Sequence, residues 1–474
     1  MKNKFYITTT LPYINADPHV GFAREIIEAD VLARFHRILN EEVFFNTGTD
    51  EHGLKIFRKA EGLGMDTQKY CNEKALEFDR LKGALNLSYN NFIRTTDEAH
   101  IKAAQEFWKL CDKNGYIYKK NYKIKYCVGC ELEKTDSELV DGKCPDHPNM
   151  ELETIEEENY FFKFSAFQDK LLELYKNNPD FVRPAKRFNE VKRFVELGLE
   201  DFSISRIKEK MPWGVPVPGD ENQVIYVWFD ALVNYISALG WPKTPENFEK
   251  FWPGYQICGK DNLRQQSAMW QAMLMSVNLP TSVQIFVNGF ITVNGQKMSK
   301  SLGNVISPYE MVEKFGIDAT RYLLLSGASF GEDFDITWDK LIEKYNADLA
   351  NGLGNLLSRV ITLAQKGNFQ FSILNFQSIS NDKFSNLINN MELGQALEYI
   401  WKIIDEDNKF IGDNKPWELV KTDMKKFEEV MKKLLEDLNL ISGLLVSFMP
   451  ETSQKIKKAL ETKKIEEVLF QRIK

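Results

Sequence analysis

The chain has 474 residues, of which 43% are hydrophobic and 27% charged, and its formal net charge is −7. That length exceeds what one hydrophobic core serves, so we expect about two to four domains, and the composition excludes a disordered chain. No stretch approaches the roughly 18–20 apolar residues of a membrane span, and the N-terminal residues lack the apolar segment of a secretory signal, so we expect a cytoplasmic protein without a membrane partner.

The first 114 residues, 1–114, predict the first half of a doubly wound, Rossmann-like α/β catalytic domain. A strand pattern, a turn rich in Pro, Gly and Asn, a helical pattern and a second apolar run follow one another at residues 5–9, 11–21, 26–38 and 43–45. Strand, turn, helix and strand in this order start a parallel sheet. Because ligands of such sheets bind at the carboxyl ends of the strands, the polar turns after both strands are candidate binding segments.

The rest of the chain divides by pattern into further segments. Short alternating segments with a cysteine cluster predict a connective insertion at 115–222. Apolar runs at 223–229, 255–259 and 284–287 return to the parallel-sheet pattern and complete the catalytic domain at 223–305. A connecting segment at 306–340 leads to 341–474, where helical periodicity with few Gly or Pro residues predicts an all-α domain.

The turn at residues 17–22 lies between the first predicted strand and helix. A helix N-terminus offers unpaired N–H groups and the positive end of a dipole, which suits phosphate. His19 can donate a hydrogen bond to a phosphate oxygen, and Gly21 lets an adenine ring lie against the backbone. On these residues alone, an ordinary turn with a surface histidine is the competing interpretation.

A second candidate loop carries Gln-Lys-Met-Ser-Lys-Ser at residues 296–301, between Gly295 and Gly303. Its two lysines, Lys297 and Lys300, can close over a triphosphate and balance charge as pyrophosphate leaves, in a loop that we expect to be mobile before ATP arrives. Lysine pairs are usually only solvated, so the specific order of the residues supports this interpretation more than their composition does.

Cys127, Cys130, Cys144 and His147 form two pairs of metal ligands, each with two intervening residues. This spacing lets backbone turns wrap a tetrahedral Zn²⁺, and four protein ligands predict a closed, structural site. Six cysteines in a chain of this length fit a reducing compartment better than a disulfide framework. The alternatives are free thiols beside a chance histidine, or a redox motif, which would need Cys-x-x-Cys at the start of a helix.

Together, His-Val-Gly at 19–21 and Lys-Met-Ser-Lys-Ser about 280 residues later resemble the two signature motifs of class I aminoacyl-tRNA synthetases. The segments 11–13, 48–53, 226–231 and 288–290 resemble the methionine-specific branch of that family, in the expected order over nearly the whole chain. The resemblance implies a ligase that activates L-methionine with ATP and Mg²⁺, and then esterifies it to tRNA(Met). It also implies a zinc knuckle in the insertion, a stem-contact segment at 306–340 and catalytic roles for His19, Lys297 and Lys300.

The resemblance also assigns substrate-binding residues. Asp50 corresponds to the carboxylate that binds the substrate ammonium, and Asp261, after Gly259, to the residue that holds the ribose of ATP. A thioether packs favourably against aromatic edges, and without the resemblance Trp228 and Tyr235 would be explained equally well as core residues. The positions that correspond to the methionine pocket are Leu11, Tyr13, Trp228, Ala231, Leu232 and Tyr235.

The all-α domain carries a candidate anticodon site. Asn355 and Arg359 lie four residues apart and share a helix face, and Trp417 follows Pro416, a residue typical of a first helical turn. By resemblance these residues read the anticodon, since an exposed Trp stacks on an unpaired base while Arg and Asn read base edges. A Trp in a helical bundle is more often part of the core.

Two positions depart from the family pattern. Phe22 stands where the first motif normally ends in a second histidine, so one phosphate contact is lost or is supplied by another donor. Gln266 stands where many relatives carry a pocket histidine, and glutamine donates and accepts but does not titrate near neutral pH. We therefore expect Gln266 to take over a pocket contact, with altered affinity for methionine.

Two alternative functions remain open at the level of sequence. Another class I synthetase is one, although the segment 115–222 is too short for the editing insertion of the leucine, isoleucine and valine enzymes, and a cysteine enzyme would place its metal in the pocket. A degenerate RNA-binding relative is the other; Phe22 and Gln266 suggest it, whereas Asp50 and the loop at 297–301 argue against it. Relatives that dimerise use an extra C-terminal domain, which is not visible in this sequence, so we expect a monomer.

Overall fold

The computed structural model describes residues 3–134, 138–298, 303–327, 329–367 and 382–474. The strands are, in chain order, β1 Lys4–Thr9, β2 Glu42–Thr49, β3 Asn91–Arg94, β4 Ile117–Cys127, β5 Leu132–Lys134, β6 Glu153–Phe162, β7 Val182–Arg183, β8 Phe202–Ser203, β9 Ser205–Ile207, β10 Pro216–Val217, β11 Asp220–Ile225, β12 Tyr255–Gly259, β13 Gln284–Asn288, β14 Ile291–Val293, β15 Gln296–Lys297 and β16 Phe334–Ile336.

The α-helices are α1 Val20–Ile38, α2 Leu54–Gly62, α3 Thr67–Asp79, α4 Leu81–Ala84, α5 Glu98–Lys113, α6 Gln168–Asn177, α7 Ala185–Glu196, α8 Val227–Ala231, α9 Asn234–Ser237, α10 Glu246–Phe251, α11 Trp270–Ser276, α12 Pro308–Phe315, α13 Ile317–Leu325, α14 Trp338–Lys344, α15 Asn355–Lys366, α16 Asp382–Asn389, α17 Leu393–Asn414, α18 Pro416–Thr422, α19 Met424–Leu445 and α20 Pro450–Thr462. Wider, π-helical turns precede α11 at Gln265–Met269 and join α14 to α15 at Tyr345–Gly354.

Six strands form one parallel sheet in the order β3-β2-β1-β12-β13-β7. Five of the six residues of β1 are buried, as expected of a parallel strand that helices cover on both faces. The chain winds outward from β1 to β3 on one side and from β12 to β13 on the other. The switch point between β1 and β12 is where such sheets bind ligands.

Two hydrophobic clusters cover the two faces of this sheet. One includes α1 and continues through α13 into the C-terminal helices, and the other includes α5, α11 and part of the insertion. A fully buried ion pair joins α1 to α13, with 2.8 Å between Arg321 Nη2 and Asp30 Oδ2. Arg321 also donates from Nε to the carbonyl of Phe448 at 2.7 Å, so this guanidinium joins α1, which packs on the parallel sheet, to the C-terminal helices.

The predicted insertion contains a four-stranded antiparallel sheet, β5-β4-β6-β8, built on the long β4–β6 pair. Within the same range, 115–222, β7 forms the edge of the six-stranded sheet by pairing with β13. A third sheet, β10-β11-β9, also begins in this range, whose strands are therefore shared among three sheets. The domain boundaries at residues 114, 222, 305 and 340 remain predictions.

One strand prediction is wrong. Residues 223–229 do not join the parallel sheet: β11 ends at Ile225 and pairs antiparallel with β9 and β10, and α8 begins at Val227. An apolar run of this length has the same pattern in a strand and in a buried helical turn, so periodicity alone could not separate them.

The predicted fold class is confirmed. From residue 341 onward, the described residues form helices and no strand, which agrees with the predicted all-α domain. Among the described residues, no helix combines the length and the apolar character that crossing a membrane requires.

Candidate active site and metal cluster

One cavity of about 680 Å³ opens at the switch point of the parallel sheet. The segments that follow β1, β2, β12 and β13 line it, together with the start of α1 and the hairpin β14–β15. The predicted site residues in its lining are Leu11, Tyr13, His19, Gly21, Asp50, Trp228, Gly259, Asp261 and Lys297. The structure therefore brings five of the six residues predicted for ATP and four of the eight predicted for methionine to one place.

His19 caps the N-terminus of α1 by accepting a hydrogen bond at Nδ1 from the backbone N–H of Gly21, at 3.1 Å. A neutral imidazole in this arrangement carries its proton on Nε2, which can donate to an anion. Loss of water inside the cleft and the nearby Lys297 ammonium lower the pKa of His19. A Cβ at Gly21 would lie 2.8 Å from His19 Cε1, so glycine keeps this approach to the backbone open.

The second candidate loop, at residues 296–301 and here called the lysine loop, begins directly over the N-terminus of α1. The Lys297 ammonium lies 4.5 Å from the centre of the Phe290 ring, and Met298 Cε lies 3.7 Å from the place of a Gly21 Cβ. Beyond the loop, the carbonyl of Ile306 accepts from the N–H of Val20, the first residue of α1, at 3.1 Å. The first motif and the described start of the second, Lys297 and Met298, are therefore neighbours, whereas Lys300 lies outside the described residues.

Asp50 is a buried carboxyl group with no positively charged partner among the described residues. Its Oδ1 is buried without a hydrogen-bond partner. Burial, together with the nearby carboxylates of Asp230 and Glu131, raises the pKa of Asp50 well above its ordinary value. Because a buried carboxylate is stabilised by a paired positive charge, this oxygen suits an ammonium group that enters the cavity.

The other residues predicted for the methionine pocket are buried but do not line the cavity. Tyr235 and Gln266 contact each other, since Gln266 Nε2 donates to the Tyr235 hydroxyl, and Gln266 Oε1 is buried without a partner. Ala231 and Leu232 are buried as well. Trp228 is half-buried in the lining, and its Nε1 also has no partner.

The two departures from the family pattern differ in location. Phe22 lines the cavity and packs edge-on against Phe78, with 5.8 Å between ring centres. An aromatic ring that packs in this way donates no hydrogen bond, so the contact that a histidine would make is missing from this position. Gln266 instead belongs to the π-helical turn before α11.

The cavity lining contains further charged residues that the sequence did not single out. Glu25 accepts a hydrogen bond at Oε1 from the backbone N–H of Thr10 at 2.7 Å, and burial raises its pKa to about 8. Its position on α1, one turn after Gly21, was the available signal. Lys55 and Glu131 also line the cavity, and no local pattern marks either of them.

The four predicted metal ligands form a compact cluster beside the cavity. One ligand atom from each of the four lies within 4.8 Å of all the others. The sulfur of Cys127 is 3.7 Å from His147 Nδ1, and those of Cys130 and Cys144 are 3.5 Å apart. Ligands about 2.0–2.3 Å from a tetrahedral ion are separated by roughly 3.5–3.8 Å, so the donor set fits a tetrahedral metal such as Zn²⁺.

The predicted anticodon residues lie together on the helical domain. Arg359 and Trp417 line a second cavity of about 210 Å³, with Ser358, Thr362 and Leu363. Trp417 is 42% exposed and follows Pro416 at the first position of α18. Asn355 is exposed one turn before Arg359 on α15. The side chain of Trp417 is therefore available for stacking rather than part of the core.

Comparisons with known proteins identify the family. The family described as tRNA synthetases class I (M) matches residues 5–153 and 149–361, and the anticodon binding domain of methionyl tRNA ligase matches residues 374–469. A methionine–tRNA ligase of Thermotoga maritima is 42% identical over 96% of this chain and 74% of the relative. One of Rickettsia bellii is 41% identical over 96% and 92%.

Solved structures agree with the sequence comparisons. Mycobacterium tuberculosis methionyl-tRNA synthetase in complex with methionyl-adenylate superposes with a TM-score of 0.91 at 38% identity, over 96% of this chain and 93% of that one. The apo form of the same protein gives a TM-score of 0.83 at 34% identity, over 96% and 91%. The chain therefore belongs to the methionyl family of class I tRNA synthetases.

Proposed function

We propose that the chain is a methionine–tRNA ligase that converts L-methionine and ATP to methionyl-adenylate and then transfers the methionyl group to tRNA(Met). One observation carries this proposal: the start of α1 with His19, the carboxylate of Asp50 and the hairpin with Lys297 all face one cavity. That cavity brings a phosphate-binding end and an ammonium-binding end into one volume, as the joining of an amino acid to a nucleotide requires.

In the first step, an oxygen of the methionine carboxylate attacks the α-phosphorus of ATP. A new O–P bond forms, the bond from that phosphorus to the bridging oxygen breaks, and pyrophosphate leaves with the electron pair. The nucleophile is already ionised, so the residues act by positioning and charge stabilisation. His19 Nε2–H, Lys297 and Lys300 donate to phosphate oxygens, and Mg²⁺ that enters with ATP neutralises further charge.

Each end of the cavity has its own binding groups. Asp50 pairs with the methionine ammonium, and the thioether packs beside Trp228, with Tyr235 and Gln266 shaping the pocket from behind. The backbone of Gly21 and of Gly259 contacts the nucleotide directly, and the Asp261 carboxylate accepts hydrogen bonds from the ribose hydroxyls. Leu11, Tyr13, Ala231 and Leu232 complete the methionine end.

In the second step, the 2′-hydroxyl of the 3′-terminal adenosine of tRNA attacks the methionyl carbonyl carbon. The acyl–phosphate bond breaks, AMP leaves, and the hydroxyl proton passes to the departing phosphate or to water. Trp417 stacks on an anticodon base, and Asn355 and Arg359 read base edges. These contacts select the tRNA far from the reacting atoms.

The cluster of Cys127, Cys130, Cys144 and His147 holds one structural Zn²⁺ in this proposal, since all four positions of a tetrahedron are taken by protein ligands. We further propose a monomer that works in the cytoplasm, where thiol ligands stay reduced. The competing function is that of another class I synthetase with a different amino acid. The identity of 40% and more with methionine–tRNA ligases supports methionine.

ATP–pyrophosphate exchange measured with each of the twenty amino acids tests the proposal. We expect exchange that depends on methionine and exceeds every other amino acid by about 10²-fold or more, the range that binding discrimination reaches without editing. Exchange with a different amino acid would assign another specificity. No exchange with any of them, from a protein that still binds tRNA, would indicate a degenerate relative.

A further inference from the structure

Glu131 lies next to a metal ligand in the chain and also faces the cavity. It directly follows the ligand Cys130, is only 5% exposed, and lines the cavity. Its Oε1 accepts a hydrogen bond from the Tyr13 hydroxyl at 2.8 Å and one from the backbone N–H of Lys55 at 2.9 Å. A carboxylate that is fixed by the knuckle therefore holds a side chain of the methionine end.

Hydrogen bonds to its carbonyl groups also hold the backbone around Glu131 in place. The Tyr226 hydroxyl donates to the carbonyl of Glu131, and Lys55 Nζ donates to the carbonyl of Gly129 at 3.1 Å. Glu131 itself has a φ of 51°, a conformation that costs free energy for a residue other than glycine and persists only where contacts enforce it. These contacts bind the knuckle to α2 and to the residue before α8.

The chain approaches the Glu131 carboxylate closely at Gly53, where a side chain would not fit. Gly53 has a φ of 113°, and a Cβ there would lie 2.3 Å from the Tyr13 hydroxyl oxygen and 2.7 Å from Glu131 Oε2. Tyr13 in turn lies beside Asp50 across a parallel bridge. On either side of it, the N–H of Asp50 donates to the carbonyl of Pro12 at 3.0 Å and that of Ile14 to the carbonyl of Asp50 at 3.3 Å.

We propose that Glu131 is a positioning residue for methionine, through which the folded metal knuckle orders Tyr13 and the adjoining Asp50. This inference rests on the proposed function, because it assumes that the Asp50 end of the cavity binds methionine. The nucleotide end is built on α1, β12 and β13, so the effect of Glu131 falls on methionine and spares ATP. Metal binding and methionine binding are thereby coupled.

Four variants and one control test the proposal. Glu131→Ala removes the acceptor, Glu131→Gln keeps an oxygen that accepts both hydrogen bonds, and Tyr13→Phe removes the donor; the double variant Tyr13→Phe/Glu131→Ala closes the cycle. Asp141→Asn, at an exposed carboxylate of the same knuckle, is the matched control. The measurements are methionine affinity by titration calorimetry, KM for methionine and ATP in pyrophosphate exchange, and zinc content by mass spectrometry.

We expect Glu131→Ala to weaken methionine binding by roughly tenfold or more, the effect of losing a hydrogen bond to a charged group, with the KM for ATP and the zinc content unchanged. Glu131→Gln recovers most of the affinity, Asp141→Asn behaves as wild type, and the double variant is no weaker than the more affected single variant. Removing the metal from the wild-type protein with a chelator weakens methionine binding. The same treatment of Glu131→Ala causes a smaller further loss of affinity.

Three results would overturn the inference. The first is wild-type methionine affinity in Glu131→Ala, the second is additive loss in the double variant, and the third is an equal rise in KM for ATP and for methionine. A wild-type protein that binds no methionine would instead overturn the proposed function, and with it this inference.

Discussion

Asp230 accepts a hydrogen bond from His52 Nδ1 at 2.6 Å, although 178 residues separate them in the chain. The other oxygen of Asp230 pairs with His100 Nε2 at 2.9 Å. Burial alone would raise the pKa of Asp230, but the two histidines outweigh it and lower the pKa to about 2. The contact joins the turn that carries Asp50 to α8, which carries Trp228, and so fixes the spacing of the proposed ammonium and thioether sites.

The first prediction concerns stability in acid. Because the folded pKa of Asp230 lies below its ordinary value of 3.8, its ionised form stabilises the fold above about pH 4, and this contribution disappears as the pH falls toward 2. We expect Asp230→Asn to cost about 2 kcal/mol or more at pH 7 and progressively less below pH 4. Urea unfolding of both proteins across this range measures the difference; a constant difference would contradict the account.

The second prediction concerns the lysine loop. Lys297→Ala and Lys300→Ala should each slow adenylate formation by about 10²-fold or more while methionine affinity stays nearly intact, because the lysines act mainly in the transition state. Rapid-quench measurement of adenylate formation checks this, with Lys402→Ala on the exposed face of α17 as the matched control. Activation rates equal to wild type would remove the role given to the loop.

The third prediction concerns Gln266, whose amide donates to the Tyr235 hydroxyl. Gln266→Ala should weaken methionine binding by roughly tenfold, since it leaves the buried hydroxyl without that partner. Gln266→His should change the affinity for methionine and for its analogues relative to wild type. Titration calorimetry of the three proteins measures this, and indistinguishable affinities would exclude a pocket role for Gln266.

The fourth prediction separates tRNA selection from chemistry. Trp417→Ala should lower kcat/KM for tRNA by about 10- to 100-fold, the effect of losing one base-stacking contact, and leave methionine-dependent pyrophosphate exchange unchanged. Met424→Ala, which removes another exposed side chain near the start of α19, is the control. If Trp417→Ala charges tRNA as wild type does, the anticodon site lies elsewhere.

Much of the catalytic domain was predictable because its signals are local. The first strand, the turn with His19, the long helix α1 and the second strand follow one another within 49 residues, and each has its own periodicity or turn residues. The metal ligands were predictable for the same reason, since two pairs of ligands with short spacing are recognisable from the sequence alone. The structure adds that these local features converge on one cavity.

Other features depend on contacts that no local pattern encodes. The contact of Glu131 with Tyr13 spans 118 residues, and a glutamate beside a cysteine ligand looks like any solvated charge. The apolar run at 223–229 predicts a strand of the parallel sheet, but it divides between the end of β11 and the start of α8, and the antiparallel partners of β11, β9 and β10, are too short for a pattern to reveal them. The ion pair of Arg321 with Asp30 depends in the same way on the packing of two distant helices.

A crystal structure with a non-hydrolysable analogue of methionyl-adenylate would show whether both substrates share this cavity. We expect the adenine against Gly21, the ribose hydroxyls on Asp261, the ammonium on Asp50 and the thioether beside Trp228. An analogue bound outside this cavity, or one whose ammonium lies away from Asp50, would contradict this expectation.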